Sequence, residues 1–320
     1  MSALDVNQSV LSPAGIQASA IHSLWSLMLW VCAAVFMAVL AVLFVALRRG
    51  TRNRSHDDFE PASEAALSRS VGAAVGVTVV VLIGLLTASV WTGRTIGSLH
   101  AASAVTIAIT GHQWWWEIQY EDAVPGRRVV TANELHIPTN RPVVVKVTSR
   151  DVIHSFWVPN LQGKRDLIPG YTTALWLQAD RPGVFRGQCA EFCGMQHAHM
   201  ALDVIAESQQ QFEAWLEAMR QPARDPSDST LRRGHDVFMH ARCAGCHTVR
   251  GTEAAGQIAP DLTHIATRHT LGAGTLSNTA EHLAAWIQDA QRLKPGNQMP
   301  PNPLTEEDLL ALVVYLETLR

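Results

Sequence analysis

Two long uncharged runs constrain the fold of this chain more than any other feature. Residues 24–47 are LWSLMLWVCAAVFMAVLAVLFVAL and residues 71–90 are VGAAVGVTVVVLIGLLTASV, and neither run contains a charged side chain. About twenty apolar residues are enough for a helix to cross the hydrocarbon core of a bilayer. A buried helix of a soluble domain is the alternative for one such run. Two of them close together favour two transmembrane helices, at about residues 24–47 and 71–93.

Basic residues beside these runs predict how the chain crosses the membrane. Residues 1–23 contain no Lys or Arg, whereas the connection between the runs is basic. Because basic loops remain in the cytoplasm, both ends of the chain are predicted to lie outside it. No cleavable signal peptide is evident, since the start of the chain lacks a basic region and its first apolar run is too long. The basic residues of the connection are Arg48, Arg49, Arg52, Arg54 and Arg69.

The remaining sequence separates into a β region and a helical region. Short runs rich in β-branched and aromatic residues, broken by Pro, Gly and Asn, continue to about residue 205, as in a small all-β sandwich or barrel. Ser208 and Gln211 then form a capping-box pattern at the start of a helix, and a polar linker containing prolines follows. The last predicted helix begins at Thr305. The predicted parts are an N-terminal segment with two transmembrane helices (1–100), a β domain (101–207), a helix and linker (208–230) and a helical domain (231–320).

The segment CAGCH in the helical region indicates covalent attachment of a c-type haem through Cys243 and Cys246, with His247 as an axial ligand. A zinc knuckle would need a second pair of ligands and a thioredoxin-like site would need a βαβ pattern, and neither is visible. A disulfide between the two cysteines is the second choice. Met299, in the loop LKPGNQMPP, can complete a His/Met pair, which raises the potential of a haem. Filling a gap in the core is the alternative for Met299.

The most crowded set of potential metal ligands is the segment QCAEFCGMQHAHM. It offers thiolate, imidazole and thioether groups, which favour copper over hard cations, whereas zinc seldom takes Met. A mononuclear blue-copper centre uses one cysteine, but two thiolates can bridge two copper ions, each of which then needs a histidine. A disulfide between the two cysteines is the alternative, although it leaves the other ligands unexplained. The candidate ligands are Cys189, Cys193, His197 and Met200, with His154 as the best candidate for the second histidine.

Several spaced residues surround the CAGCH segment. Gly234 and Phe238 precede it, Trp286 lies in a middle helix, Met299 follows, and Tyr315 lies in the last helix. With these features the helical domain resembles a class I cytochrome c, which implies an all-α domain that carries haem c. Because covalent haem attachment is normally completed outside the cytoplasmic membrane, this resemblance agrees with the orientation predicted from the arginines.

Two longer stretches in the β region carry a second resemblance. VTSRDVIHSFWVPNLQGKRDLIPG, followed by RPGVFRGQCAEFCGMQHAHM, is similar to subunit II of haem-copper oxidases, and the similarity extends over nearly all of residues 20–205. It implies a cupredoxin-like β-barrel with a binuclear copper centre, CuA. The ligands it implies are His154, Cys189, Cys193, His197, Met200 and the backbone carbonyl of Glu191.

The same resemblance assigns roles to residues around this centre. Trp114, in the segment GHQWWWEIQY, matches the family tryptophan through which electrons enter, while Trp115 and Trp116 are predicted to be half-buried packing residues. The carboxylate of Glu191 is implied to help bind magnesium at the junction with subunit I. His199 is predicted to be a bystander.

Together the two resemblances imply the subunit II of a caa3-type cytochrome c oxidase, a multidomain membrane protein. It is expected to be a multi-pass protein of the bacterial cytoplasmic (inner) membrane, with its copper and haem domains on the outer side. The expected partners are subunits I and III and cytochrome c or another reduced donor, and oxygen reduction is expected in subunit I of the proton-translocating complex. The net charge of −3 does not suggest a nucleic-acid partner. Phe192 and Trp157 are expected to keep water from the copper centre.

Two alternatives use the same residues. The chain could deliver electrons to a nitric oxide reductase of the same superfamily, because the residues that separate the two enzymes lie in the catalytic subunit. It could also be a membrane-anchored copper and haem carrier acting alone. Two membrane helices, where one would anchor, and the Glu191 magnesium position speak against the second alternative.

Overall fold

The computed structural model describes residues 6–52, 63–97 and 105–320 of the chain. They form two compact units, one within residues 19–99 and the other combining the segment before residue 19 with the sequence from the β region to Arg320. The boundary predicted at residues 100 and 101 lies outside the described residues, and so does Arg54.

Two long helices make up the first unit. Helix α1 spans Ile16–Arg52 and helix α2 spans Glu64–Gly97. Each contains one predicted apolar run and extends past it at both ends, because the flanking sequences are rich in Ala, Ser and Arg and lack proline. Both are long and apolar enough to cross a membrane, and their most apolar stretches are not buried by other described residues.

The β domain consists of two sheets packed face to face. One has the order β5-β11-β10-β7-β8, with β1 pairing alongside β10, and the other has the order β4-β3-β2-β6-β9. The strands are β1 (Val6–Asn7), β2 (Val105–His112), β3 (Trp115–Tyr120), β4 (Val129–Ala132), β5 (Glu134–Pro138), β6 (Val143–Ser149), β7 (His154–Trp157), β8 (Arg165–Leu167), β9 (Thr173–Leu177), β10 (Gly183–Cys189) and β11 (Ala201–Glu207).

Alternating burial along these strands builds the core of the domain. In β2 and β6 every second side chain is buried, as expected when one face of a sheet packs inward. Helix α3 (Gln209–Ala218) follows β11 and packs Phe212 against Tyr120, with ring centroids 6.2 Å apart. The predicted capping box is confirmed, since Ser208 accepts from the amide of Gln211 and the Gln211 side chain bonds back to the Ser208 amide.

The helical domain is built on a close helix crossing. Helix α4 (Ser229–His240) packs on α7 (Glu306–Thr318) at Gly234, where a Cβ would lie 2.1 Å from the carbonyl oxygen of Ala311. Thr305 caps α7 as predicted. The domain also contains the one-turn helix α5 (Cys243–Cys246) and helix α6 (Ala280–Leu293).

A small hairpin departs from the all-α expectation. Strands β12 (Thr270–Leu271) and β13 (Leu276–Ser277) pair around the GAG turn, residues 272–274. All three turn residues have positive φ, which Gly272 and Gly274 adopt without strain and which is uncommon for Ala273 between them. The other main elements of the domain are helices, as predicted.

Candidate metal centre and haem pocket

The predicted copper ligands lie at the ends of neighbouring strands. His154 begins β7, Cys189 ends β10, and Met200 directly precedes β11. Because β7 and β10 pair with Cys189 opposite Phe156, and alternate residues share a face, His154 and Cys189 lie on the same side of the sheet. The Nδ1 atom of His154 is 3.9 Å from Cys189 Sγ.

The remaining predicted ligands surround the same two sulfurs. Cys189 Sγ lies 3.7 Å from Cys193 Sγ and 3.2 Å from the carbonyl oxygen of Glu191. Cys193 Sγ lies 3.6 Å from His197 Nδ1 and 3.9 Å from Met200 Sδ. The structure therefore brings together all six groups that the sequence suggested. At 3.7 Å the two sulfurs are not joined in a disulfide.

A carboxylate orients the fully buried ring of His154. The Nε2 atom lies 2.8 Å from Asp151 Oδ1, and the other carboxylate oxygen accepts from the amide of Gln113 at 2.7 Å. With Nε2–H held by Asp151, the Nδ1 lone pair faces the thiols, as in metal-binding histidines. Gly111 leaves room for the ring, since a Cβ there would lie 2.8 Å from His154 Cδ2. Burial opposes charge on His154, but its contacts with Cys189 and Asp151 outweigh this effect and raise its pKa.

The two thiols differ in acidity. Hydrogen bonding with Cys193 lowers the pKa of Cys189, and the same interaction raises the pKa of Cys193. Cys189 is therefore the thiol that loses its proton more readily, and a thiolate is the form that binds a metal ion. Two sulfurs, two imidazoles and a thioether, all buried except the half-buried His197, fit soft or borderline copper ions.

Three predictions about the copper loop have different outcomes. Phe192 is 75% exposed, but its ring packs edge-on against His197 with centroids 5.8 Å apart, so in this chain it covers one predicted ligand on one side. The side chain of His199 is turned away, with Nδ1 2.8 Å from Gln196 Oε1. The carboxylate of Glu191 is exposed, and nothing in the structure tests its magnesium role.

Trp114 lies against the copper loop. Its indole N–H donates to the carbonyl oxygen of Cys193 at 2.9 Å, and the side chain of Gln113 donates to the same oxygen at 2.8 Å. Only 8% of Trp114 is exposed. Trp115 is half-buried, as predicted, and stacks on His112 at 4.2 Å. Trp116 is instead fully buried, because it points into the core formed by the two sheets.

The predicted haem ligands surround a cavity in the helical domain. The cavity has a volume of about 310 Å³. Cys243 is the first residue of α5 and Cys246 the last, and His247 directly follows them. Met299 lies in the loop after α6 and lines the same cavity. The apolar side chains in the wall include Leu271, Leu283, Trp286, Ile287 and Leu316. An apolar cavity edged by two thiols and two potential axial ligands fits a covalently attached haem.

Hydrogen bonds orient the two candidate axial ligands, His247 and Met299. His247 Nδ1 lies 2.7 Å from the carbonyl oxygen of Pro260, which leaves Nε2 free to bind iron. Burial lowers the pKa of His247, so the ring is neutral as a metal ligand requires. The backbone of Met299 is held by Asn297, whose Oδ1 accepts from the Met299 amide at 2.8 Å, and by the side-chain amide of Gln291.

A buried arginine in the cavity wall was missed by sequence reasoning. Arg268 is 7% exposed, and its Nε has no hydrogen-bond partner. One of its terminal nitrogens donates to the carbonyl oxygen of Asp261. Burial lowers the pKa of Arg268, since a guanidinium is costly to place in an apolar wall. An unpartnered donor there fits a ligand that is mostly apolar with an anionic edge, such as a haem with its propionates.

Comparisons with known proteins agree with both sites. The sequence matches the family described as Cytochrome C oxidase subunit II, periplasmic domain, over residues 123–207, and the Cytochrome c family over residues 231–320. It is 36% identical to cytochrome c oxidase subunit 2 of Alkalihalophilus pseudofirmus over 98% of this chain and 91% of the relative. The chain belongs to the cytochrome c oxidase subunit 2 family.

Two further relatives define the breadth of the match. A cytochrome c oxidase subunit 2 from a Bacillus species is 35% identical over 68% of this chain and 63% of its own length. A quinol oxidase subunit 2 from Bacillus cereus is 30% identical over 68% of this chain and 75% of its own length. The predicted fold class is confirmed, as is the fusion of a CuA-type domain to a cytochrome c domain. The matches favour an oxidase over the nitric oxide reductase and stand-alone carrier alternatives.

In this subunit 2 the cytochrome domain packs directly on the copper loop. Gln113, Trp114 and Trp115 form part of the wall of the haem cavity. Lys294, at the end of α6, is buried there and hydrogen-bonds residues of both domains. No sequence signal identified Lys294, because its environment depends on how the two domains pack.

Proposed function

We propose that this subunit 2 receives electrons from a reduced carrier and delivers them, by way of haem c and CuA, to the haem-copper site of subunit I for reduction of oxygen to water. The bound haem and copper supply the one-electron redox chemistry. The observation that carries the proposal is the position of Trp114, which forms part of the haem cavity wall and donates its N–H to the backbone of Cys193.

The side chains around the copper position have a structural task as well as a binding task. His154, Cys189, Cys193, His197 and Met200 would bind copper through their side chains, and Glu191 would bind through its carbonyl oxygen. These groups already lie within 4 Å of one of the two sulfurs. A site held this closely by the protein needs little rearrangement when its charge changes, which favours rapid electron transfer.

The cytochrome domain would supply the first electron acceptor. Cys243 and Cys246 would form the thioether bonds, His247 and Met299 would be the axial ligands, and Arg268 would pair with a propionate. Trp114 is nearly covered, so it is placed to receive electrons from this chain's own cytochrome domain and not from a mobile carrier. The carrier, cytochrome c or another reduced donor, would then dock on the cytochrome domain.

The two apolar helices support a multi-pass position in the bacterial cytoplasmic membrane. Each is long and apolar enough to span it, and the arginines of the connection favour a cytoplasmic loop. The copper and haem domains would then lie on the outer side, in contact with subunit I and in the same complex as subunit III. The exposed carboxylate of Glu191, within the copper loop, would bind magnesium at the junction with subunit I.

Replacing a bridging thiol tests the proposal. In the purified oxidase complex, Cys193→Ser should abolish the near-infrared absorbance of CuA and the consumption of oxygen, because one oxygen cannot replace a bridging sulfur, while the haem c spectrum is retained. The matched control is His199→Asn, which changes an exposed ring in the same loop that is turned away from the sulfurs. Wild-type turnover in Cys193→Ser would refute the proposal.

A further inference from the structure

We propose that Lys294 positions the cytochrome domain on the copper loop, so that the segment leading to Met299 is held against Trp114. The inference rests on the proposed function, because a fixed distance between the haem cavity and the copper ligands matters only if electrons pass between them. Lys294 borders the haem cavity but is not one of the proposed copper or haem ligands, and its role is to hold two domains in register.

The side chain of Lys294 is buried and fully hydrogen-bonded. Only 2% of the residue is exposed. Its Nζ donates to the carbonyl oxygens of Trp114 at 2.9 Å, His199 at 2.8 Å and Gly272 at 2.6 Å. Three acceptors match the three N–H donors of an ammonium group. A buried amine without these partners would be strongly unfavourable, so the three carbonyls specify where Lys294 can lie.

The three acceptors belong to segments that matter for the two sites. Trp114 donates to the backbone of Cys193, and His199 directly precedes Met200, so two acceptors belong to the framework of the copper loop. The third acceptor, Gly272, belongs to the GAG turn of the cytochrome domain. A single charge therefore joins the two domains at the copper loop.

Neighbouring contacts extend this junction. The side-chain amide of Gln196 donates to the carbonyl oxygen of Pro295 at 2.9 Å. Gly296 lies beside the copper loop, where a Cβ would make ordinary van der Waals contact, at 3.5 Å, with both the Trp114 ring and Met195 Sδ. The backbone amide of Ala201 donates to the carbonyl oxygen of Ala273 at 3.0 Å. Lys294 thus lies within a continuous interface and contributes a buried cationic group to it.

The position of Lys294 is passed on to the segment that carries Met299. The side-chain amide of Asn297 donates to the carbonyl oxygen of Lys294 at 2.7 Å, and its Oδ1 accepts from the amide of Met299. Gln291 in α6 donates to the carbonyl oxygens of both Asn297 and Met299. Residues 294–299 are therefore one hydrogen-bonded loop, attached to the copper loop at one end and to the haem cavity at the other.

Substitution by methionine tests this role in the whole oxidase complex. Lys294→Met keeps an unbranched side chain that is one atom shorter and removes all three donors. The control is Arg292→Met, which removes a charge from an exposed position on the same helix. Burial lowers the pKa of Lys294 to about 7, so the measurements are made at about pH 6, where the amine is charged.

Electron transfer within the complex is the first measurement. Haem c is reduced by a light pulse with an external photoreductant, and the reduction of CuA is followed in the near infrared. In Lys294→Met this step should be slower by roughly tenfold or more, since small misplacements have large effects on rates that depend on geometry. In Arg292→Met it should stay within about twofold of the wild type, as for most surface changes. Both variants should keep the absorbance of CuA and of haem c.

Amide hydrogen exchange is the second measurement and does not depend on electron transfer. The amides of Ala201 and His269 donate hydrogen bonds across the interface. The amide of Val145 lies within the β domain and that of Tyr315 within the cytochrome domain, so neither reports on the interface. In Lys294→Met the first pair should exchange faster and the second pair should not change.

Wild-type electron transfer in Lys294→Met, or slow transfer with Ala201 and His269 still protected, would overturn the inference. If the methionine variant fails to incorporate haem, the same two measurements are made on Lys294→Gln, which keeps two donors. The same outcomes then support or overturn the inference. The Cys193→Ser experiment tests the proposed function separately.

Discussion

The copper loop and the haem cavity hold their potential ligands in opposite ways. Around the copper position the side chains contact one another, with the sulfur of Cys193 within 4 Å of three other ligand atoms. In the cytochrome domain the four haem-binding side chains instead border a cavity of about 310 Å³. The side chains of the copper site are therefore held in place by contacts with one another. The packing of the haem cavity depends instead on the group that fills it.

The lining of the cavity decides how strong this dependence is. Apolar side chains form most of its wall, and exposing apolar surface to water costs about 25 cal/mol per Å². A haem would therefore form part of the core of the cytochrome domain, while copper would be an addition to a β domain whose core is already closed.

Removing the haem attachment should have the largest effect. In the double variant Cys243→Ser and Cys246→Ser, residues 231–320 should lose stable folding, because the cavity then lacks its core. The measurements are haem staining on a denaturing gel and limited proteolysis of the purified chain. The β domain should keep its near-infrared CuA absorbance. Cys32→Ser, in α1, is the control and should change neither property. A protease-resistant cytochrome domain without haem would contradict the comparison.

Changing the carboxylate behind His154 should have an intermediate effect. Asp151→Asn removes the charge that orients Nε2, and the affinity of the loop for copper should fall by about 10-fold to 100-fold. Titration with a copper chelator measures this, and circular dichroism should show an unchanged β domain. Asp166→Asn, on exposed β8, is the matched control. Unchanged affinity in Asp151→Asn would mean that the loop alone orders its ligands.

The sequence predicted the ligands better than their supports. Local spacing identified CAGCH and four candidate ligands of the copper loop, and the resemblance added His154 and the Glu191 carbonyl, which the structure places beside them. The capping box at Ser208 follows from two residues. Asp151, Arg268 and Lys294 could not be found in this way, because each acts through a neighbour that only the tertiary fold brings close. The exposure of Phe192 could not be predicted for a related reason, since exposure at a loop tip depends on three-dimensional packing.

The interface where the two regions meet should respond weakly to pH, and the sign can be derived from one ion pair. His269 of the cytochrome domain lies 3.5 Å from the buried carboxylate of Glu134 in the β domain. Glu134, and more weakly Asp203, raise the pKa of His269 above its ordinary value. Docking therefore takes up a proton. The contribution of the pair is complete below about pH 6.5 and is lost as the pH rises through the higher pKa of the docked state.

The size of this effect should be about 0.5 kcal/mol, or roughly twofold in the docking equilibrium, because His269 is partly exposed. Lys294 affects docking in a similar pH range but in the opposite direction. Burial lowers its pKa to about 7, so docking releases a proton from Lys294 above that pH. The charge of Arg186 also acts on this cluster through Asp203.

Comparing wild type with His269→Gln isolates the histidine, because the other groups are common to both. The protection of the Ala201 amide relative to Val145 should decline more steeply with pH in the wild type. Parallel pH profiles would show that the ion pair contributes nothing to docking and that the buried lysine and the backbone contacts hold the two regions together without it.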